Sequence, residues 1–146
     1  EAARLAPLYA FFQARFDQID AEYASLPQAV LHGDYSWRNL KRRGDEWAVI
    51  DFERLVVDIP WRELGKLWPR EAKSTEERQA FLAGYRKILP LQEPSPLLDA
   101  CLSFQLAQGI YRYVLKVDDW EFRQMADEVI EDVKAWCVTQ GLDMSN

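Results

Sequence analysis

Val30-Leu31-His32-Gly33-Asp34-Tyr35-Ser36-Trp37-Arg38-Asn39-Leu40 and the later run Ala48-Val49-Ile50-Asp51-Phe52-Glu53 decide how this chain is read. Short β-prone segments surround an aspartate, an asparagine five residues later and a second aspartate twelve beyond that. Leu40–Arg43 and Trp47–Ile50 read as two strands joined at Gly44-Asp45-Glu46, a turn-like sequence. A three-residue loop centred on Asp45 sets Asn39 directly opposite Asp51. A two-residue Gly44-Asp45 loop sets Asn39 against Ile50 and diagonal to Asp51. Opposed residues in a hairpin have Cβ atoms roughly 4.5–5.5 Å apart, so either register brings an amide oxygen and a carboxylate together at the open end. Such a pair suits magnesium, which takes one or two carboxylates with phosphate oxygens and water. The intervening loop places Asp34 beside it, in reach of a substrate hydroxyl. A proton-accepting aspartate and an Asn/Asp pair for the metal are what phosphoryl transfer from a nucleotide requires.

His-Gly-Asp-x4-Asn followed by Ile-Asp-Phe-Glu resembles the catalytic core of the aminoglycoside phosphotransferase and choline kinase family, relatives of the protein kinases. The likeness continues through Asp58-Ile59-Pro60-Trp61-Arg62-Glu63-Leu64, similar to that family's Gly-Asp-Pro-x-x-Asp-Leu, with Ile59 and Glu63 as departures in a structural segment. The resemblance implies Asp34 as catalytic base, Asn39 and Asp51 as metal ligands, and His32 as a structural member of the loop. It implies Mg2+ and ATP as cofactors, and transfer of phosphate to a hydroxyl of a small metabolite or antibiotic-like acceptor. Arg38, within the loop, is placed to steady a transferring phosphate. Lys41, Arg42 and Arg43 fit a solvated hairpin edge that discourages pairing between molecules.

Apolar spacing predicts helices over 4–24, 61–68, 75–89, 96–117 and 119–140, around a catalytic loop and hairpin at 29–53. In the first, Leu5, Leu8, Phe12, Phe16, Ile19 and Tyr23 form the stripe, and Pro7 fits its first turn. Pro69 is expected to stop the second. Ser74 through Glu77 has the form of a capping box, ahead of a helix burying Phe81, Leu82, Tyr85 and Ile88. Residues 90–96 form a linker, and Ser95-Pro96 opens a helix with Leu98, Leu102, Leu106, Ile110 and Tyr113 on one stripe. Gly109 there costs about 1 kcal/mol relative to alanine, which close packing would explain. The last helix is capped by Asp118 through Glu121, buries Phe122, Met125, Val129, Val133 and Trp136, and ends at Gly141. The fold class is mostly α (α+β): a single domain over 1–146, the C-terminal helical lobe of a protein-kinase-like fold with one hairpin and a short extra strand.

A chain of 146 residues buries roughly 70% of its unfolded surface. With 49% hydrophobic and 13% aromatic residues, it has the makings of a packed core, not a disordered segment. The net charge of −6 disfavours nucleic acid as main partner. No run approaches a membrane span and no signal peptide is visible, so a cytoplasmic protein is expected. Cys101 and Cys137 show no metal spacing and read as buried, reduced thiols.

The resembling enzymes carry a second lobe with a glycine-rich turn over the phosphates, a strand lysine and a helix glutamate. The 31 residues before His32 contain neither Lys nor Gly and read as a helix. That N-terminal nucleotide lobe is missing here, and the chain begins at Glu1 rather than Met, which suggests a piece of a longer protein. The chain alone is therefore expected to lack kinase activity, and its uncovered apolar face to favour self-association. For the acceptor, Asp118, Asp119, Trp120 and Glu121 form an acidic-aromatic corner, with Trp61, Trp68, Tyr111 and Tyr113 as further candidates. Aromatic faces and carboxylates suit a cationic small molecule, though the same residues serve equally as helix caps and core. A non-catalytic kinase-like binding module is the alternative function. A metal-dependent hydrolase built on His32, Asp34 and Asp51 is poorly supplied with ligands, as the chain holds one histidine.

Overall fold

A computed structural model describes residues 2–143, with side chains from Arg4 onward. In order the elements are α1 (Ala2–Gln13), α2 (Phe16–Ser25), β1 (Ala29–Leu31), a 3-10 turn (Trp37–Asn39), β2 (Leu40–Arg43) and β3 (Glu46–Val49). Then follow β4 (Val56–Asp58), α3 (Pro60–Glu71), α4 (Thr75–Tyr85), α5 (Pro96–Val114) and α6 (Trp120–Thr139). The protein is mostly helical with small antiparallel sheets. Among the described residues no helix is long and apolar enough to cross a membrane. The chain divides into two compact units, one of residues up to Ser25 and from Pro94 onward, the other Leu26–Glu93.

The first unit is helical. Leu5, Leu8, Phe11 and Phe12 of α1 are buried, as are Leu98, Cys101, Phe104, Ala107 and Ile110 of α5. Phe12 stacks on Phe104, with ring centroids 5.4 Å apart and planes at 28°. In α6 the buried stripe is Ala126, Ile130, Val133 and Cys137. The expected stripe shares only Val133 with it; Phe122, Met125, Val129 and Trp136 are half-buried. Both sets have helical spacing, and the buried one is the set that contains the small Ala126 and Cys137. Both cysteines are free and buried.

Helix 4–24 is in fact two helices. Arg15 N–H bonds the Phe12 carbonyl at 3.0 Å, a tightened turn that ends α1. The Arg15 guanidinium caps the Phe11 carbonyl at 3.0 Å and lies 3.7 Å from the Phe11 ring centre. A carbonyl freed at a helix end thus finds a cationic donor. Phe16, expected in the core, is 61% exposed. Ser95 caps α5 by accepting the Leu98 N–H at 3.2 Å, and Glu22 of α2 takes both the N–H and hydroxyl of Ser95 at 2.6 Å. Asp119, the second acid of the expected cap, accepts the Phe122 N–H at 3.1 Å to start α6. At the other end Leu142 N–H bonds the Cys137 carbonyl and Gly141 N–H bonds that of Val138, both at 3.0 Å, with Gly141 at φ +90°. That is a Schellman closure, which favours glycine at its left-handed position. Gly109 is not explained by packing: a Cβ there would meet nothing within 4 Å. Helix α5 ends at Val114 and α6 at Thr139, each short of the expected limit.

The second unit holds two separate two-stranded antiparallel sheets, β1 with β4 and β2 with β3. The β2–β3 register pairs Leu40 with Val49 and Arg43 with Glu46, leaving a two-residue Gly44-Asp45 loop. Gly44 at φ +61° has the positive first position of a II′ hairpin turn. Strand β4, with Val30 opposite Val57, was not expected: a three-residue strand carries too little alternation to show in sequence. Helix α3 does not stop at Pro69 but runs to Glu71. Proline near a helix end loses one hydrogen bond only, and buried Leu67 and Trp68 anchor the turn before it. The Ser74 capping box forms as expected, with Glu77 N–H on Ser74 Oγ at 3.1 Å and Ser74 N–H on Glu77 Oε2 at 2.9 Å. Helix α4 ends at Tyr85, not 89, and loosens into turns ahead of Pro90 that leave Ile88 82% exposed.

Candidate active site

The loop from His32 to Asn39 is held by backbone geometry first. Gly33 has φ +82°, and a Cβ there would lie 2.0 Å from the Arg54 carbonyl oxygen. Only glycine lets the segment after Asp51 press this closely onto the loop. His32, buried, adds a second tie: Asp34 N–H donates to its Nδ1 at 3.3 Å, and its Nε2 meets the Ile50 carbonyl at 2.8 Å. With Nδ1 accepting, Nε2 carries the proton and donates to Ile50. The ring is also 4.9 Å, centroid to centroid, from Phe52. Both ring nitrogens are engaged: Nδ1 holds the loop's own turn at Asp34, and Nε2 fastens it to the stretch that carries Asp51.

Helix α3 supplies the third hold. Its buried stripe is Trp61, Leu64, Leu67 and Trp68; the polar residues Glu63, Lys66, Arg70 and Glu71 reach the loop. Glu63 Oε1 accepts the N–H of Gly33 at 2.6 Å and of Tyr35 at 3.3 Å, and Oε2 that of His32 at 3.0 Å. Lys66 Nζ donates to the Gly33 carbonyl at 2.9 Å, and Glu71 Oε2 accepts the Trp37 N–H at 2.8 Å. Burial lowers the Lys66 ammonium below its ordinary value, and the Arg62 charge adds to it. Charge-assisted bonds to backbone are the stronger kind. They hold the loop at four of its N–H groups and one carbonyl.

Asp34 is the loop's central carboxylate. Its Oδ2 accepts Arg38 at 2.5 Å, and its Oδ1 meets Arg70 at 3.4 Å. Burial alone would raise the carboxyl; the Arg38 hydrogen bond and the Arg38 and Arg70 charges outweigh it and hold the group below its usual value. Asn39 is buried and donates its side-chain N–H to the Asp34 carbonyl at 2.8 Å. That bond commits the amide nitrogen and leaves the amide oxygen, the atom a cation takes. Ile50 N–H bonds the Asn39 carbonyl at 2.9 Å, so the hairpin ladder continues past β2 and β3 with Asn39 against Ile50. The two-residue register therefore holds, and Asp51 is diagonal to Asn39. Asp51 has φ +68°, the sole positive φ among described non-glycine residues. A left-handed aspartate is tolerated but uncommon, and such conformations gather at ligand-holding positions.

Among the described residues no group of three or more His, Cys, Asp or Glu side chains is placed to hold a metal ion. Asn39 and Asp51 offer two protein oxygens, a donor set that suits magnesium when phosphates and water complete its shell. Ser36 is fully buried, and its Oγ has no hydrogen-bond partner. Of the acceptor candidates, Trp61 is buried edge-on to Trp68, with centroids 6.2 Å apart. Asp118, Asp119 and Trp120 belong to the other unit, Asp119 as the α6 cap and Trp120 69% exposed. Tyr111 donates its hydroxyl to Asp127 at 2.7 Å. Sequence reasoning missed the work of Lys66, Arg70 and Glu71, and treated Glu63 as a departure. The available signal was a polar repeat at 63, 66 and 70 opposite an apolar one, which the stop assigned to Pro69 cut short.

The match to a family model gives the class, that of the phosphotransferase enzymes. The chain belongs to the phosphotransferase enzyme family, whose model matches residues 1–97 and so spans the whole loop-bearing unit. No curated protein and no solved structure matches the chain.

Proposed function

We propose that this chain carries the catalytic loop of a kinase-like, nucleotide-dependent phosphotransferase acting on a hydroxyl of a small molecule. Asp34 receives the acceptor's hydroxyl proton as the acceptor oxygen bonds to the terminal phosphorus. The bond from that phosphorus to the bridging oxygen breaks, and the nucleoside diphosphate leaves. Asn39 and Asp51 would hold magnesium, which when bound neutralises phosphate charge. The observation that carries this reading is Asn39: its amide nitrogen is spent on the Asp34 carbonyl, so its oxygen is oriented by the same loop that presents the base. Family membership supports the reaction class. The acceptor is left to positions outside the loop.

These residues contain no counterpart of the glycine-rich turn and strand lysine, so the chain alone should bind nucleotide weakly and turn over little of it. Calorimetric titration with ATP tests the reading. Binding should require magnesium, and Asp51→Asn should weaken it at least tenfold with circular dichroism unchanged. Binding indifferent to magnesium and to this substitution would refute the assignment.

A further inference from the structure

Two guanidinium groups converge on Asp34 from different supports. Arg38 comes from the 3-10 turn of the loop itself and its side chain is 60% exposed. Arg70 comes from the last turn of α3 and its side chain is 19% exposed. Its neighbours on that helix, Glu63, Lys66 and Glu71, are already bonded to the loop backbone, so the base of Arg70 is fixed relative to Asp34. Among the described residues Asp34 is the side chain bonded to the Arg38 guanidinium, and water reaches most of it. Arg38 on Oδ2 and Arg70 on Oδ1 each take one acceptor site of the carboxylate and offset its charge, so an acceptor hydroxyl meets a more open carboxylate once one of them leaves. The exposed arginine is the one that an arriving anion can draw off, since a phosphate group offers guanidinium the same bidentate fit as a carboxylate.

We infer that Arg70 is a positioning residue that keeps Asp34 Oδ1 in place throughout, while Arg38 is exchangeable and transfers from Asp34 Oδ2 to the incoming phosphate. This rests on Asp34 being the base of the reaction proposed above. Two charges share one carboxylate, and that makes the exchange feasible. With Arg70 holding and partly neutralising Asp34, Arg38 departs without leaving the carboxylate unpaired. Without Arg70, Arg38 is the remaining guanidinium paired with a half-buried aspartate and is held back from the anion.

The test uses the chain with isotope-labelled arginine side chains and aspartate carboxyls, titrated with inorganic phosphate and followed by NMR. Phosphate should move the Arg38 Nε–Hε signal and the Asp34 carboxyl carbon and leave Arg70 in place. Arg70→Gln should weaken the apparent phosphate affinity about tenfold, and Arg70→Lys should restore most of it. Urea midpoints of both variants show that the fold is kept, so a merely structural role would not produce this pattern. A phosphate-induced shift of Arg70 would make it an anion ligand and overturn the inference. So would an absent Arg38 response, or an Arg70→Gln chain that answers phosphate as the parent does. Should magnesium-dependent nucleotide binding fail while this selectivity and its loss are seen, the phosphotransferase reading falls and the division between the two arginines stands.

Discussion

Gly33 and Ser36 lie three residues apart in one loop, and substitution should act on them in opposite directions. At Gly33, a φ of +82° and an Arg54 carbonyl oxygen 2.0 Å from any Cβ add backbone strain to a direct clash. Gly33→Ala should therefore cost well over about 1 kcal/mol, measured as a fall in urea midpoint. Ser36 instead buries a hydroxyl without a partner, a desolvation cost of about 1–3 kcal/mol. Ser36→Ala should leave the thermal midpoint unchanged or raise it; a clear fall would mean that the hydroxyl is bonded in solution. The sequence brought Asp34, Asn39 and Asp51 forward as candidates because those residue types are uncommon at that spacing. It hid Ser36, whose burial depends on packing. It also hid Glu63, because an acid replacing an acid gives no sign that it collects three backbone N–H groups.

Helix α5 carries a glycine at 109 that neither packing nor backbone demands. A Cβ would enter open space, and the residue is not at positive φ. Gly109→Ala should stabilise the protein by about 0.5–1 kcal/mol, seen as a higher urea midpoint with unchanged slope. An unchanged or lower midpoint would show that the position is constrained in a way this geometry lacks. The helices were readable from periodicity, but strand β4 and the division of the first helix were not, and element limits followed local chemistry. The α1–α2 break was invisible because Phe12 and Ile19 are seven apart, a spacing that an unbroken helix also gives. Arg15 makes the break by capping a carbonyl, a job arginine does in many settings. In α3, proline signalled an end that arrives two residues later, and those residues, Arg70 and Glu71, are the ones that reach the loop. In α6, side chains lean toward the helix N-terminus and two stripes fit equally, so spacing alone could not choose between them.

Over the whole chain, ionisable groups in both units act at opposite ends of the pH scale. Asp34 lies below its ordinary value because its arginine partners outweigh burial. Asp127 is lowered chiefly by the Tyr111 hydroxyl, against burial and with help from Arg4. Glu131 is lowered by Lys134 and then by Arg4. A carboxylate lowered on folding contributes stability that is present above its unfolded value and lost as pH falls through the folded one. The acid limb should therefore appear as pH drops below the ordinary values of 3.8 for aspartate and 4.5 for glutamate. Cys137 behaves in the reverse sense. Burial pushes its thiol from 9.0 up to about 11, so folding favours the neutral form. That contribution is complete below 9.0 and lost as pH rises toward about 11. Burial raises Cys101 and Tyr35 as well, and both act in the same direction. Urea midpoints measured across pH should form a plateau with a fall on each side. Cys137→Ala should lower the plateau, since it empties a fully buried site, yet flatten the fall between pH 9.0 and about 11. A variant profile that drops as steeply as the parent's over that interval would remove Cys137 as the group that sets the alkaline limb.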